Sequence, residues 1–599
     1  MNIESILLKN LYKAITDLYH PEEIEWQKLV QIEQTRADIE GDYTVVVFPL
    51  LRISGKPPAK TGEEIGAHLL RTMSEIAGYK TVGGFLNLIA KPDYWLTFLN
   101  YICKNADFWK TPERSSSSVV MVEFSSPNTN KPLHLGHIRN NLIGNSIAEL
   151  LKATGHCVFK STLVNDRGIH ICKSMLAWQK WGNGETPESA KKKGDHLVGE
   201  YYVRFDKEYK KQVKELTEAG MSVENAEKNA PLIKEARELL RKWEYGDQSA
   251  LFLWKTMNGW VYEGFTKTYE ALNIKFDVTD YESDTFNLGK AIVLKGLEEG
   301  IFLRKEDGSV WVDLTKEGLD EKILLRSDGT SVYITQDIGT AQYRFSKFNL
   351  DKLIYVVGNE QNYHFQVLTL ILKKSGYSWT DNLHHLSYGM VELPSGKMKS
   401  REGTVVDADD LISDMIDTAG KIAGELGKLD NIFQHDREMI INSIALGALK
   451  YFILKVDPKK NMTFIPEDSI DFNGNTGPFI QYTYARICSV LRKADEMNIQ
   501  VPGSAETNLE INKKEIELIK RIHIFPSVIN EAATELNPAL VANYTYELAK
   551  EYNQFYHDFS ILKEENLIYR DFRLLLSSAV GNIVKSAMNL LGIDMPERM

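Results

Sequence analysis

Apolar residues first recur with a helical period, placing Ile3, Ile6, Leu7, Leu11, Ile15 and Leu18 on one face of MNIESILLKNLYKAITDLYH. With acids interspersed, that spacing predicts an amphipathic helix and not a signal peptide. The period then shortens. TVVVFPLL (44–51) is a β-branched run that predicts a strand, and the turn residues GKPP (55–58) follow it. Thr61 stands three residues before Glu64, a capping-box start for a helix through Ile76, and FLNLIA (85–90) predicts a second strand. The polar stretch TPERSSSS (111–118) reads as a boundary, so residues 1–112 are expected to form a small α/β domain.

VVMVEF (119–124) predicts a strand that runs into the loop SPNTNKP (126–132). Helical periodicity starts at His134 and lasts to Gly155, and CVFKSTLV (157–164) is the next strand candidate. Strand, helix and strand in this order make a βαβ unit and hence a parallel, doubly wound sheet. Residues 113–410 are therefore expected to form a Rossmann-like α/β domain with a charged helical insertion at about 180–300. Its later strands are predicted at LIYVVG (353–358) and HHLSYGMVEL (384–393). From 411 to 599 the periodicity is helical almost throughout, which predicts an all-α C-terminal domain.

Composition changes this picture little. A chain of 599 residues exceeds one core's reach, and 43% hydrophobic with 26% charged residues is an ordinary globular balance. No segment approaches the roughly 18 uninterrupted apolar residues of a membrane span, so a cytoplasmic protein is expected. Cys103, Cys157, Cys172 and Cys488 form no CxxC pair and no zinc spacing with histidine; no metal site of the protein's own is expected. The net charge of −11 argues against nucleic acid, but only globally, because basic strips survive on large acidic enzymes. The run Lys191-Lys192-Lys193 is expected to be a solvated charged face.

Two motifs carry chemistry. His134-Leu135-Gly136-His137 lies where the loop meets a helix; with 13 His and 40 Gly in 599 residues, H-x-G-H is expected by chance about 0.02 times. A helix N-terminus offers free N–H groups to polyphosphate, Gly136 lets a nucleotide approach the backbone, and two imidazoles can reach the same phosphates. The second motif, Gly396-Lys397-Met398-Lys399-Ser400-Arg401-Glu402-Gly403, sets three cations between glycines and suits charge moving onto a leaving pyrophosphate.

HLGH and KMKS resemble the HIGH and KMSKS signatures of class I aminoacyl-tRNA synthetases. EFSSPNTNKPLHLGHIRNNLIG, LVNDRGIHICKSMLAW, LRSDGTSVYITQDIGTA and GNTGPFIQYTYARI resemble the arginyl-tRNA synthetase family, and the likeness extends to the terminal GIDMPERM. The resemblance implies ATP with Mg²⁺, L-arginine and tRNA(Arg) as ligands, an arginyl-adenylate intermediate, a monomer, and tRNA bound before the first step. It makes the N-terminal domain a tRNA-contacting extension and the helical C-terminal domain an anticodon-binding bundle. KMSKS is not reproduced as it stands. Either Lys397 matches its first lysine, or Lys399-Ser400 match its last two positions; the second register keeps Lys399 on phosphate, with Lys131 as a substitute cation.

The implied ATP contacts are His134, Gly136, His137, Lys397, Met398, Lys399 and Ser400, with His134, His137, Lys399 and Lys131 catalytic. For arginine, a carboxylate can grip the guanidinium fork in bidentate fashion and an aromatic ring can stack on it. Tyr333 and Asp337 would share a helix face, and the resemblance adds Glu123, Asn128 and Gln361. Tyr482, Tyr484, Arg486 and Arg492 mix aromatic and basic groups as unpaired tRNA bases require. Two rival readings are a small-molecule nucleotidylyltransferase, against which the two flanking domains count, and a synthetase-like binding protein without turnover.

Overall fold

The first helix forms as α1 (Ile3–Tyr19) and buries Leu7, Leu11 and Ile15 of the predicted face together with Ala14, while Ile6 and Leu18 are partly buried. The computed structural model describes residues 3–21, 29–36, 39–392, 406–425, 433–506 and 509–599. Its contacts divide into two packed units, residues 1–109 with 486–526 and 548–584, and residues 110–485 with 527–547 and 585–599. The division at 109/110 falls near the expected 112/113. None falls at 410/411, where one helix, Ala408–Glu425, runs through.

In the first unit, β1 (Ile32–Gln34), β2 (Tyr43–Val46), β3 (Ile76–Val82) and β4 (Phe85–Ala90) make an antiparallel sheet in the order β1-β2-β4-β3. The strand expected at 44–51 is cut short, because Pro49 has a fixed φ and no N–H to give a ladder; Phe48–Leu50 turn into a 3-10 helix instead. The helix expected to begin at Thr61 begins earlier, as α2 (Pro58–Thr72), with proline at its first position. Thr61 instead hydrogen-bonds back to the Pro57 carbonyl from inside that helix. The predicted end at Ile76 is also wrong: that residue opens β3, which the helical pattern concealed.

Helix α3 (Pro92–Lys104) supplies aromatic residues around His523, whose Nδ1 is 3.3 Å from the Tyr43 hydroxyl and whose Nε2 is 3.2 Å from that of Tyr94. Phe98 lies edge-on at 4.6 Å. Burial pushes the His523 pKa down to about 4. A folded pKa below the unfolded value of about 6.5 means that the unfolded chain binds more protons, so this stability is full above pH 6.5 and lost as pH falls towards 4. The loss is roughly 3 kcal/mol over that window, at 1.36 kcal/mol per unit. Thermal unfolding between pH 7.5 and 4.5 should show a shallower pH dependence in His523→Gln than in the parent; equal slopes would contradict the assignment.

The second unit is built on a parallel sheet of β5 (Val119–Glu123), β6 (Cys157–Val164), β7 (Val278–Tyr281), β11 (Lys352–Gly358) and β12 (Leu383–Tyr388), ordered β12-β11-β5-β6-β7. The strand order reverses between β5 and β11, which makes the crevice beyond their carboxyl ends the ligand position of such a fold. Between β7 and β11 lie three short antiparallel strands that the sequence did not announce, β8 (Leu303–Arg304), β9 (Val310–Val312) and β10 (Lys322–Leu325).

Helix α4 (Leu135–Ala153) connects β5 to β6, and α5 (Ile169–Trp181) follows β6. The insertion is helical over α6 (Gly194–Glu218), α7 (Pro231–Glu244) and α8 (Gln248–Ala271), but the expected range of about 180–300 is too long, because it takes in β7, a strand of the parallel sheet too short to show alternation. Then come α9 (Tyr333–Phe348), α10 (Ala408–Glu425), α11 (Gln434–Leu454), α12 (Gly477–Glu496) and α13 (Leu567–Leu590).

The strand expected over 384–393 divides. After β12 the chain passes Gly389, where a Cβ would fall 2.4 Å from the Lys460 backbone, and β13 (Val391–Glu392) pairs with β14 (Met462–Thr463) in a separate sheet. The C-terminal tail returns to the sheet domain: Ser146 on α4 donates to the Leu590 carbonyl at 3.1 Å, and the buried Lys450 ammonium to that of Gly592 at 2.6 Å.

Candidate active site

The HLGH helix begins with a capping box made of two imidazoles. His134 is extended (φ −140°, ψ 174°), and its Nδ1 accepts the Gly136 N–H at 3.1 Å. His137 Nδ1 accepts the His134 N–H at 3.2 Å, so two orphan donors of the first turn are satisfied reciprocally. A neutral imidazole that accepts through Nδ1 carries its proton on Nε2. Both rings therefore turn an Nε2–H donor away from the helix, with centroids 3.9 Å apart.

Burial, assisted by nearby Lys131, brings the His134 pKa down to about 4. Burial and the neighbouring His134 hold His137 well below the usual histidine range. Neutral donors are thus present throughout physiological pH. Gly136 has a role that the sequence did not reveal: a Cβ there would lie 3.0 Å from Cε1 of His134 and crowd the capping ring.

A cleft of about 620 Å³ opens beside this helix start and brings together four predicted residues, Asn128, Lys131, His134 and Tyr333. Burial lowers the pKa of the Lys131 ammonium. Residues not singled out from sequence also line the cleft, among them His170, His196, Tyr202 and Asp407. Nδ1 of His170 is 3.0 Å from the Tyr202 hydroxyl. His170 lies in the quoted stretch LVNDRGIHICKSMLAW but was not singled out there, His196 and Tyr202 come from the helical insertion, and Asp407 from the segment before Ala408–Glu425. Lys397, Met398, Lys399 and Ser400 lie outside the described residues. From residue 406 the chain is described again: Leu135 N–H donates to the Val406 carbonyl and Ala408 N–H to that of Leu133, both at 3.0 Å.

Tyr333 and Asp337 occupy successive turns of α9, as their spacing predicts. Tyr333 is 73% exposed, and the Asp337 carboxylate is 2.6 Å from His364 Nε2. Asn128 bridges to Asn165 beyond the ends of β5 and β6, and Gln361 sits exposed in the turn after β11. His137, Glu123, Asp337 and Gln361 are not among the residues that line the cleft.

Glu123 is buried and already holds a guanidinium. Its Oε2 pairs with Arg344, which also donates to Asp280 at 2.9 and 2.8 Å, while Ser126 Oγ donates to Oε1 at 3.0 Å. Burial opposes the Arg344 charge, but Glu123 and Asp280 outweigh it and raise its pKa. Nothing in the sequence separates Arg344 from Lys347, the other cation of α9.

On α12, Tyr482 meets Phe472 edge-on, while Tyr484 is only 6% exposed with the Lys585 ammonium 5.6 Å from its ring centre. Tyr484 thus departs from the expected base contact: a covered ring has no open face for stacking. Arg486 pairs with Asn553 and lies over Tyr556 at 5.2 Å, and Arg492 is half-buried.

Residues 102–465 match the family described as tRNA synthetases class I (R), catalytic domain, and residues 480–599 match the DALR anticodon binding domain. The chain is 57% identical to the arginine–tRNA ligase of Phocaeicola vulgatus and 54% identical to that of Porphyromonas gingivalis, with each pair covered completely. Among solved structures it resembles Thermus thermophilus arginyl-tRNA synthetase at 25% identity and a TM-score of 0.78, over 99% of this chain and 100% of that one. The Plasmodium falciparum arginyl-tRNA synthetase shares the fold at 22% identity and a TM-score of 0.77, with both chains fully covered. On these end-to-end matches, the chain belongs to the arginyl-tRNA synthetase family of class I aminoacyl-tRNA synthetases.

Proposed function

We propose that this chain joins L-arginine to tRNA(Arg) at the expense of ATP. The observation that carries the reading is the histidine capping box, which presents two neutral Nε2–H donors beside the cleft at the sheet's switch point. In the first step a carboxylate oxygen of arginine bonds to the α-phosphorus as the bond to pyrophosphate breaks, leaving arginyl-adenylate. His134 and His137 donate to the phosphate oxygens on which charge grows, and such preorganised donors supply much of the acceleration. Lys131 adds a cation from the loop before them. Lys399, with Lys397, Met398 and Ser400, is assigned to the departing pyrophosphate. Chain length supports this role: Val406, bonded to Leu135, is seven residues beyond Lys399, a reach of at most about 25 Å.

In the second step a ribose hydroxyl at the tRNA 3′ end, by family analogy the 2′-OH, attacks the adenylate carbonyl and AMP departs. Asp337 and Tyr333 are assigned to the substrate guanidinium, and Asn128, Gln361 and the Glu123 carboxylate to the rest of arginine. Tyr482, Arg486 and Arg492 remain the candidates for contact with unpaired tRNA bases. Mg²⁺, carried on ATP phosphate oxygens, would supply Lewis-acid stabilisation; Asp407 of the cleft wall and nearby Asp409 are already committed to His196 and Lys193.

The division into a tRNA-contacting N-terminal domain, a catalytic domain and an anticodon bundle is part of this reading. So is action as a cytoplasmic monomer, which is carried over from the family resemblance; among the described residues no helix is long and apolar enough to cross a membrane. The test is charging of bulk tRNA with each radiolabelled amino acid. Arginine alone should become alkali-labile on tRNA. Preference for another amino acid would move the chain within its class, and no charging would overturn the proposal.

A further inference from the structure

One wall of the cleft is tied to the insertion by a cluster of charges. His196, on the first turn of α6, sets Nε2 at 3.1 Å from an Asp409 oxygen and 3.3 Å from an Asp407 oxygen. Lys193, just before α6, pairs with Asp409, donates to Thr268 Oγ1 of α8 at 2.6 Å, and lies 3.3 Å from the fully buried Asp195. Thr268 in turn donates to Asp409 at 2.9 Å. The cluster is closely built: a Cβ on Gly264 of α8 would fall 2.3 Å from an Asp195 oxygen.

Asp195, His196 and Asp409 are near enough together to suggest a metal cage. The Lys193 ammonium already stands against both carboxylates, so the cation is the chain's own. This lysine is not the solvated residue that its run predicted, although Lys192, paired with Glu200, is exposed.

The residues so held are those that brace the HLGH helix. Asp407 caps α10 by accepting the Asp409 N–H at 2.8 Å, and its backbone bridges to that of His134. Residues 406–409 are thus a short rail, bonded to Leu133 and Leu135 on one side and to His196 and Lys193 on the other. Hydrogen bonds donated by His196 to the Asp407 and Asp409 carboxylates raise its pKa to about 10, so its charge persists through neutral pH.

From this geometry we infer that His196 and Lys193 are positioning residues for ATP: by pinning Asp407 and Asp409 to the insertion they fix the backbone that aims the two imidazoles. Breaking a buried pair can also merely destabilise a protein, so the test must separate the two effects. It rests on the proposed charging reaction, and parent enzyme in the same assay tests that reaction independently. Arginine-dependent pyrophosphate exchange, with tRNA present, is to be measured for His196→Gln, Lys193→Met and Asp409→Asn, and for each of the first two combined with Asp409→Asn.

A displaced imidazole should raise the KM for ATP about tenfold, leave the KM for arginine unchanged, and make the combined losses less than additive. Unchanged ATP kinetics would overturn the inference, as would a lowered melting temperature with an unaltered KM for ATP. His196→Gln, a partly exposed position of similar size, decides the matter if Lys193→Met does not fold.

Discussion

Alanine at position 137 is expected to lower kcat/KM for ATP by about 10²–10³-fold, the usual loss for one preorganised donor to transition-state charge. The chemical step should carry most of this loss, because the donor is aimed where charge grows. Alanine also removes an acceptor from the His134 N–H, which costs about 1 kcal/mol of helix capping. His137→Asn separates the two effects, since its amide oxygen can take up the cap; a large loss in kcat with near-parental melting would isolate the phosphate contact. The pH profile gives a second check. His134 titrates near 4 and His137 is also held low, so both donors stay neutral from pH 8 to 6 and neither ring should impose a pH-dependent loss there.

For Asp337→Asn, the KM for arginine should rise about 10²–10³-fold, equivalent to roughly 3–4 kcal/mol for a charge-assisted, bidentate contact. The KM for ATP should stay near the parental value, because the proposed phosphate contacts are made by His134 and His137 and not by Asp337. Asparagine can keep a hydrogen bond to His364, which is 2.6 Å from the carboxylate, so local structure is preserved while charge is lost. An unchanged KM for arginine in steady-state exchange would remove Asp337 from the pocket.

The legible part of this chain is the part that local chemistry determines. A β-branched run, a loop and a helical period gave β5, α4 and β6 almost to the residue, because each is long enough to show its period. Tyr333 and Asp337 were placed on one helix face by spacing alone. Strands β8–β10, of two to four residues, are too short to display alternation, and the start of β3 was hidden because the helical pattern was read through Ile76.

The site was less legible than the fold. HLGH announced phosphate chemistry, but its reciprocal cap, and hence the tautomer of both rings, exists only in three dimensions. Arg344 is 221 residues from Glu123, and His196 is 213 residues from Asp409. Such partners leave no trace in a single sequence, since each alone looks like an ordinary surface charge.

The central claim concerns where two Nε2–H groups point, and a crystal structure with a non-hydrolysable ATP analogue, arginine and tRNA tests it most directly. The account predicts phosphate oxygens about 3 Å from Nε2 of both His134 and His137, with Nδ1 of each ring still on the backbone. A triphosphate bound elsewhere, or imidazoles turned so that Nδ1 faces it, would contradict the account.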